Sequence, residues 1–122
     1  MLRDYKTCLE DISEAIGKIG RYASGHTRET LAADEKTLDA VIRNLEIIGE
    51  AIKNVPDDVR ASYPEVEWKR IAGLRDILIH RYFGIDQDII WDILQNKLPT
   101  LAAQIKHILE SLDSPPRDIS GR

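Results

Sequence analysis

The sequence predicts an all-α protein, an antiparallel bundle of four to five helices. Three observations carry that prediction. Apolar residues recur at spacings of three and four along several long segments, the mark of helices with one buried face. Helix-stopping residues (Gly25, Pro56, Pro64 and Gly84) fall between those segments. No stretch alternates apolar and polar residues in the period of a strand, and no internal repeat or Gly-rich phosphate loop is present. A chain of 122 residues is one domain in length. Residues 1–112 are expected to form it, and the polar, Pro-rich tail 113–122 is expected to be disordered.

The first helix should span about Asp4 to Ala23, with Tyr5, Leu9, Ile12, Ile16, Ile19 and Tyr22 on one face. Gly25 ends it. Thr27 can cap a short helical turn in the connector HTRETLAAD. The second long helix should run from about Asp34 to Val55. Leu38, Val41, Leu45, Ile48, Ile52 and Val55 form its stripe, widened by Ile42 and Ile47. Gly49 inside it costs about 1 kcal/mol relative to Ala, so it marks a close helix contact. Pro56 ends this helix, and Asp57–Asp58 can cap a short one through Ala61. Pro64 and the following residues to Glu67 predict an extended crossing. A third helix should cover about Glu67 to Phe83, and a fourth, capped by Asp86, should continue to about Ser111. Pro99 lacks an amide hydrogen and crowds the preceding turn, which predicts a kink near Lys97–Leu98.

Composition narrows the function. The longest apolar runs are three or four residues, far below a membrane span, and the charged beginning MLRDYKTCLEDI lacks a secretory signal's apolar block. A cytoplasmic location is therefore expected. Cys8 is the single cysteine, so neither an intrachain disulfide nor a thiolate cluster can form. Its neighbours Tyr5, Leu9 and Ile12 make it a small core residue. Three scattered histidines with no H-x-x-x-H pair argue against zinc, and no cofactor is expected. The net charge of −4 opposes broad binding of nucleic acid. That charge is uneven, however. Val66 to Tyr82 carries Lys69, Arg70, Arg75 and Arg81 against Glu67 and Asp76, leaving room for a local anion site.

The chemistry-bearing residues gather on the third helix in RDILIHRY. Arg75 and Tyr82, seven apart, fall on nearly one face. Asp76 and His80, four apart, share a neighbouring face where the carboxylate can orient the imidazole. Gly73, one turn earlier, lets another helix or chain come close. His26, beside Gly25 in a loop, and His107, near the end of the last helix, read as ordinary structural or surface residues. Arg43, Glu46 and Glu50, in RNLEIIGE, line one face at spacings of three and four as an ion-pair ladder or as support for the site. Periodicity alone would leave RDILIHRY an ordinary helix end.

RDILIHRY also matches the R-x4-H-x-Y motif of the HepT-like toxins, a branch of the HEPN superfamily. The resemblance extends to DEKTLDAVIRNLEIIGEAIKNVP and YPEVEWKRIAGLRDILIHRYFGID, which resemble that family's second- and third-helix blocks, and to DYKTCLEDISEAIGKIGRYASG, which resembles its first helix. It covers roughly residues 4–110. The resemblance implies a metal-independent endoribonuclease that acts as a homodimer and is the toxin of a type VII-like toxin–antitoxin pair. It implies as partner a minimal nucleotidyltransferase antitoxin that transfers AMP to the motif tyrosine. Residue by residue, Arg75 and His80 would be the catalytic pair and Tyr82 the modified residue. The competing class is a HEPN-like bundle that binds a nucleotide or partner without cutting RNA.

The residues suit the implied reaction. RNA carries its own nucleophile in the 2′-hydroxyl. His80 can move the proton, Arg75 can grip the phosphate and stabilise its charge, and Asp76 would hold the imidazole. Acid–base cleavage wants two proton-transfer groups where this segment offers one histidine, and a two-fold dimer would supply the second.

Overall fold

The computed structural model describes residues 2–79 and 87–113, with the side chains of residues 2–4, 75, 77, 79 and 113 outside that description. All regular structure among the described residues is helical. The long elements are α1 (Leu2–Ala23), α3 (Glu35–Lys53) and α8 (Leu98–Asp113). Between them lie the shorter α2 (Arg28–Ala33), α4 (Asp57–Ser62), α5 (Trp68–Ala72), α6 (Leu74–Ile79) and α7 (Gln87–Asp92). A π-helical turn, Ile93–Lys97, joins α7 to α8. The segments combine into four rods: α1, α3, α5–α6 and α7–α8.

The apolar stripe of α3 is the centre of the molecule. Val41, Leu45, Ile48 and Ile52 are fully buried, together with Leu9 and Ile12 of α1 and Ile105 of α8. α1 packs along α3, α8 packs on α1, and α5 and α6 pack on α3. The rods therefore follow the order α8, α1, α3, α5–α6 around the core. The fourth seam, between α5–α6 and α7–α8, stays partly open as a groove enclosing about 620 Å³.

The connections follow local chemistry. Gly25 takes a left-handed conformation (φ 82°) that a side chain would disfavour, and it turns the chain out of α1. Thr27 then forms a reciprocal cap with Thr30: the Thr30 amide donates to Thr27 Oγ1 at 3.1 Å, and the Thr27 amide donates to Thr30 Oγ1 at 2.8 Å. Asp34 closes α2 and caps α3, accepting from the Thr37 amide at 3.1 Å and its hydroxyl at 2.8 Å. These bonds from Thr37 hold the Asp34 carboxyl below its ordinary range. Arg28 bonds Asp88 at 2.8 Å and so ties α2 to α7.

Several expectations need correction. Asp57 and Asp58 lie in the first turn of α4, whose N-cap is Pro56. Their charges still suit a helix N-terminus. Ile47 is 37% exposed, because it lies three and four residues from Glu50 and Arg43 on the solvent side of α3. Tyr22, in the last turn of α1, is also exposed. The single third helix is interrupted at Gly73, which ends α5 before α6 begins. A wide π-helical turn at 93–97 ends at the Lys97–Leu98 step, just before Pro99. From the start of α8, the Thr100 hydroxyl donates back to the Asn96 carbonyl at 3.2 Å, supplying a donor close to where the proline lacks one. Asp113 belongs to α8, and the rest of the expected tail, 114–122, lies outside the described residues.

Trp68 pins the entry to α5. Its ring is buried, and its indole Nε1 donates to the carbonyls of Tyr63 (2.9 Å) and Arg60 (3.1 Å), holding the end of α4 against the start of α5. Trp68→Phe keeps an aromatic ring and loses both bonds. It should lower the unfolding free energy in a urea titration by about 1–2 kcal/mol while leaving helix content by circular dichroism unchanged.

Candidate active site

The site predicted from the sequence is built on α6. This helix is anchored by Leu74 and Leu78, four residues apart and both buried against the core. Its first turn is set by Gly73, whose carbonyl accepts from the Asp76 amide at 3.1 Å. Gly73 was expected to admit a neighbouring helix, but the crowding there is internal to its own turn. A Cβ at this position would lie 3.3 Å from the Arg70 carbonyl oxygen and 3.6 Å from that of Lys69. The glycine thus permits the tight passage from α5 into α6, and that passage sets the rotation of the α6 face.

Leu74 and Leu78 face inward, and Asp76 between them is out of register with that buried pair. Asp76 is exposed, as that spacing requires. Arg75 stands in the first turn of α6, and its side chain lies outside the described part. His80 and Tyr82 also lie outside the described residues, so the expected Asp76–His80 pairing and the Arg75–Tyr82 face rest on sequence spacing.

The surroundings of α6 are described more fully. α5 carries Lys69 and Arg70 on its exposed side. Arg70 lies 3.5 Å from Glu67, and Lys97 approaches the same carboxylate at 4.0 Å. These contacts are open to solvent and contribute little to stability. α3 also packs against α6, and Asn44 and Gly49 are among the buried residues of α3. Asn44 is the single polar or charged residue buried among the described residues, at 7% exposure. Its Nδ2 donates to the Ala40 carbonyl at 2.9 Å, which satisfies the amide within its own helix. Sequence periodicity did not single it out, because Asn in a helix reads as a surface residue.

The remaining candidates lie on other elements. Arg43 and Glu50 are exposed on the outer side of α3, with Glu46 half-buried beside them. His26 belongs to the α2 cap: its Nδ1 lies 3.0 Å from Thr30 Oγ1, and its Nε2 lies 3.8 Å from Asp34. His107 is exposed on α8, where its carbonyl accepts from the Ser111 hydroxyl at 3.1 Å. Cys8 is half-buried and packs against the core. Among the described residues no three His, Cys, Asp or Glu side chains are grouped to hold a metal ion. No described helix is long and apolar enough to cross a membrane.

Comparison with known proteins finds relatives along most of the chain. The family model described as "Ribonuclease HepT-like" matches residues 12–108. The chain is 45% identical over 111 residues to a Methanocaldococcus jannaschii protein named "Putative RNase MJ0127", covering 91% of this chain and 92% of that one. It is 43% identical over 108 residues to "Probable ribonuclease HepT" of Thermococcus cleftensis, covering 88% and 98% of the two chains. A second M. jannaschii protein, "Gamma-glutamylcyclotransferase and putative RNase MJ0434", is 42% identical over 113 residues. The match takes in 93% of this chain but spans only about half (51%) of that longer protein. No solved structure matches. A family match that runs from the middle of α1 to the last turns of α8, and includes all of α6, leaves one assignment: the chain belongs to the HepT-like ribonuclease family.

Proposed function

We propose that this protein is the toxin of a type VII-like toxin–antitoxin system, a cytoplasmic, metal-independent endoribonuclease that works as a homodimer. The observation that carries this reading is the complete Arg75–His80–Tyr82 set in the sequence, in a chain of the HepT-like ribonuclease family. A helix anchored by Leu74 and Leu78 suits such a site, because catalytic groups held on a packed element keep their mutual geometry.

In the proposed reaction the substrate's 2′-oxygen attacks the adjacent phosphorus and the 5′-oxygen leaves, giving a 2′,3′-cyclic phosphate end. Histidine titrates near neutral pH, so His80 is suited to take the 2′-hydroxyl proton or to protonate the departing oxygen. Arg75 is suited to hold the phosphate through two parallel hydrogen bonds and to stabilise the charge that builds on its oxygens. Asp76, exposed four residues before His80, is placed by spacing to orient the imidazole. Each chain offers one such histidine. Two copies would give one cleft both an acid and a base, and would concentrate cations that an overall charge of −4 otherwise dilutes.

Regulation follows from Tyr82. A nucleotidyltransferase antitoxin would direct the Tyr82 phenolic oxygen onto the α-phosphorus of ATP, with pyrophosphate as leaving group. The resulting AMP ester would set an anionic phosphate near Arg75, in competition with the substrate's phosphate.

Two outcomes test these roles in RNA cleavage by the purified protein in the presence of a chelator. His80→Ala should reduce the rate by about 10²- to 10⁴-fold, the usual range for losing a general acid–base group. Wild-type cleavage by the variant would refute the assignment and favour a bundle that only binds. Tyr82→Phe should cut RNA like the wild type yet gain no mass from ATP and the nucleotidyltransferase. A loss as deep as that of His80→Ala would make the tyrosine catalytic or structural instead.

A further inference from the structure

Gly73 interrupts the rod α5–α6 yet keeps its helical course. Its backbone stays in the right-handed region (φ −72°, ψ −9°), and its amide donates to the Lys69 carbonyl at 3.1 Å. Residues four and seven apart therefore go on sharing a face across the junction. Lys69 and Asp76 are such a pair. Both are exposed, on the side of the rod away from buried Leu74 and Leu78. About 10 Å of helix axis separates them at 1.5 Å per residue, and sequence spacing carries the same stripe on to His80.

A cationic depression lies at the start of this stripe. Arg60 of α4 and Lys69 and Arg70 of α5 line an open concavity of about 620 Å³ with Asp57 and Glu67, three cations against two carboxylates on a chain of net charge −4. Arg60 pairs with Asp57, and Arg70 lies 3.5 Å from Glu67, both contacts open to solvent. Lys69 has no ion-pair partner among the described residues. Exposed pairs of this kind are weak, so a phosphate can recruit their guanidinium groups at little cost. The two hydrogen bonds from Trp68 to the Arg60 and Tyr63 carbonyls hold the end of α4 against α5, so the cations stand on a fixed frame. The seam between α5–α6 and α7–α8 has the opposite balance. Ile89 is 45% exposed there, and Glu65, Glu67, Asp88 and Asp92 outnumber Arg70 and Lys97, so phosphates would meet net negative charge.

We propose that Lys69 and Arg70, with Arg60 of α4, hold backbone phosphates of RNA to one side of the bond that is cut, so that the strand runs along the outer face of α5 toward α6. The proposal rests on the reading that Arg75 and His80 cleave RNA, and it adds the course of the substrate. An RNA strand fits better than an acidic protein face, because Lys69 stands in line with Asp76 and, by spacing, with the histidine that the strand must reach. Cations on the backbone carry no base preference, so these residues set affinity and register while leaving sequence choice to other groups.

Two measurements on the full chain test the phosphate track. The first is binding of a single-stranded, fully 2′-O-methylated RNA, which lacks the nucleophile and stays whole, followed by fluorescence anisotropy over a range of salt concentrations. Each phosphate contact on a single strand contributes about 0.7 to the slope of log affinity against log salt. Lys69→Gln should flatten the slope by about that amount, and Lys69→Gln with Arg70→Gln by about twice as much. Lys69→Arg should keep the wild-type slope, as should Lys106→Gln, which removes the same charge from an exposed position on α8. The second measurement is RNA cleavage, where the double variant should raise KM about fivefold and leave kcat within about twofold of the wild type. Equal slopes for the wild type and the double variant, even with weaker binding, would overturn the track and leave the depression to an acidic protein face. A fall in kcat at unchanged KM would overturn it as well. A wild type that binds with the expected slopes but cuts no RNA would overturn the ribonuclease reading and keep these cations as its RNA-binding surface. A wild type that neither binds nor cuts would overturn both.

Discussion

The structure depends on the burial of one face of α3. Val41, Leu45, Ile48 and Ile52 rise along that helix at successive turns, and each is fully removed from water. Side chains of this size each gain about 1.5–3 kcal/mol on burial, a large share of any small domain's stability. The partners that bury them are different rods: α1 lies along the helix, and α5 and α6 lie against it. A change in this stripe would therefore reach both the scaffold and the helix that bears the site. The groove follows from the same arrangement. A bundle whose rods pack in the order α8, α1, α3, α5–α6 has one seam left to close, and among the described residues it is closed only in part.

Much of this was legible from residue spacing. The three- and four-residue steps in α1 and α3 identify the buried faces, and Thr27 and Asp34 reveal themselves as caps by type and place. The misses have local causes. Ile47 counts as core if hydrophobicity alone is tallied, but its spacing to Arg43 and Glu50 puts it on the outer face. Gly73 offers two readings in sequence, close approach of a neighbour or a tight turn of its own. Only the positions of the Lys69 and Arg70 carbonyls decide between them.

The candidate site was legible in a different sense. Arg, Asp, His and Tyr at these spacings are compatible with an ordinary helix end, and physical pattern alone does not raise them above it. Their match to the R-x4-H-x-Y motif does, and the family assignment over residues 12–108 supports the ribonuclease reading. The structure adds the frame: the described part of α6 is held inward by two leucines and flanked by cations on α5 and by a mixed-charge apolar seam. The seam was invisible in the sequence because Ile89 shares helical spacing with the buried residues of its rod.

The central claim is that the protein cleaves RNA by using the substrate's own 2′-hydroxyl. The most direct measurement pairs an RNA oligonucleotide that the protein cuts with the same oligonucleotide carrying a single 2′-deoxy sugar at the cleaved position, both in chelator. The account predicts that the RNA is cut to a 2′,3′-cyclic phosphate end and that the deoxy-substituted strand survives at that position. Cleavage of the substituted strand at the same site and rate would contradict it.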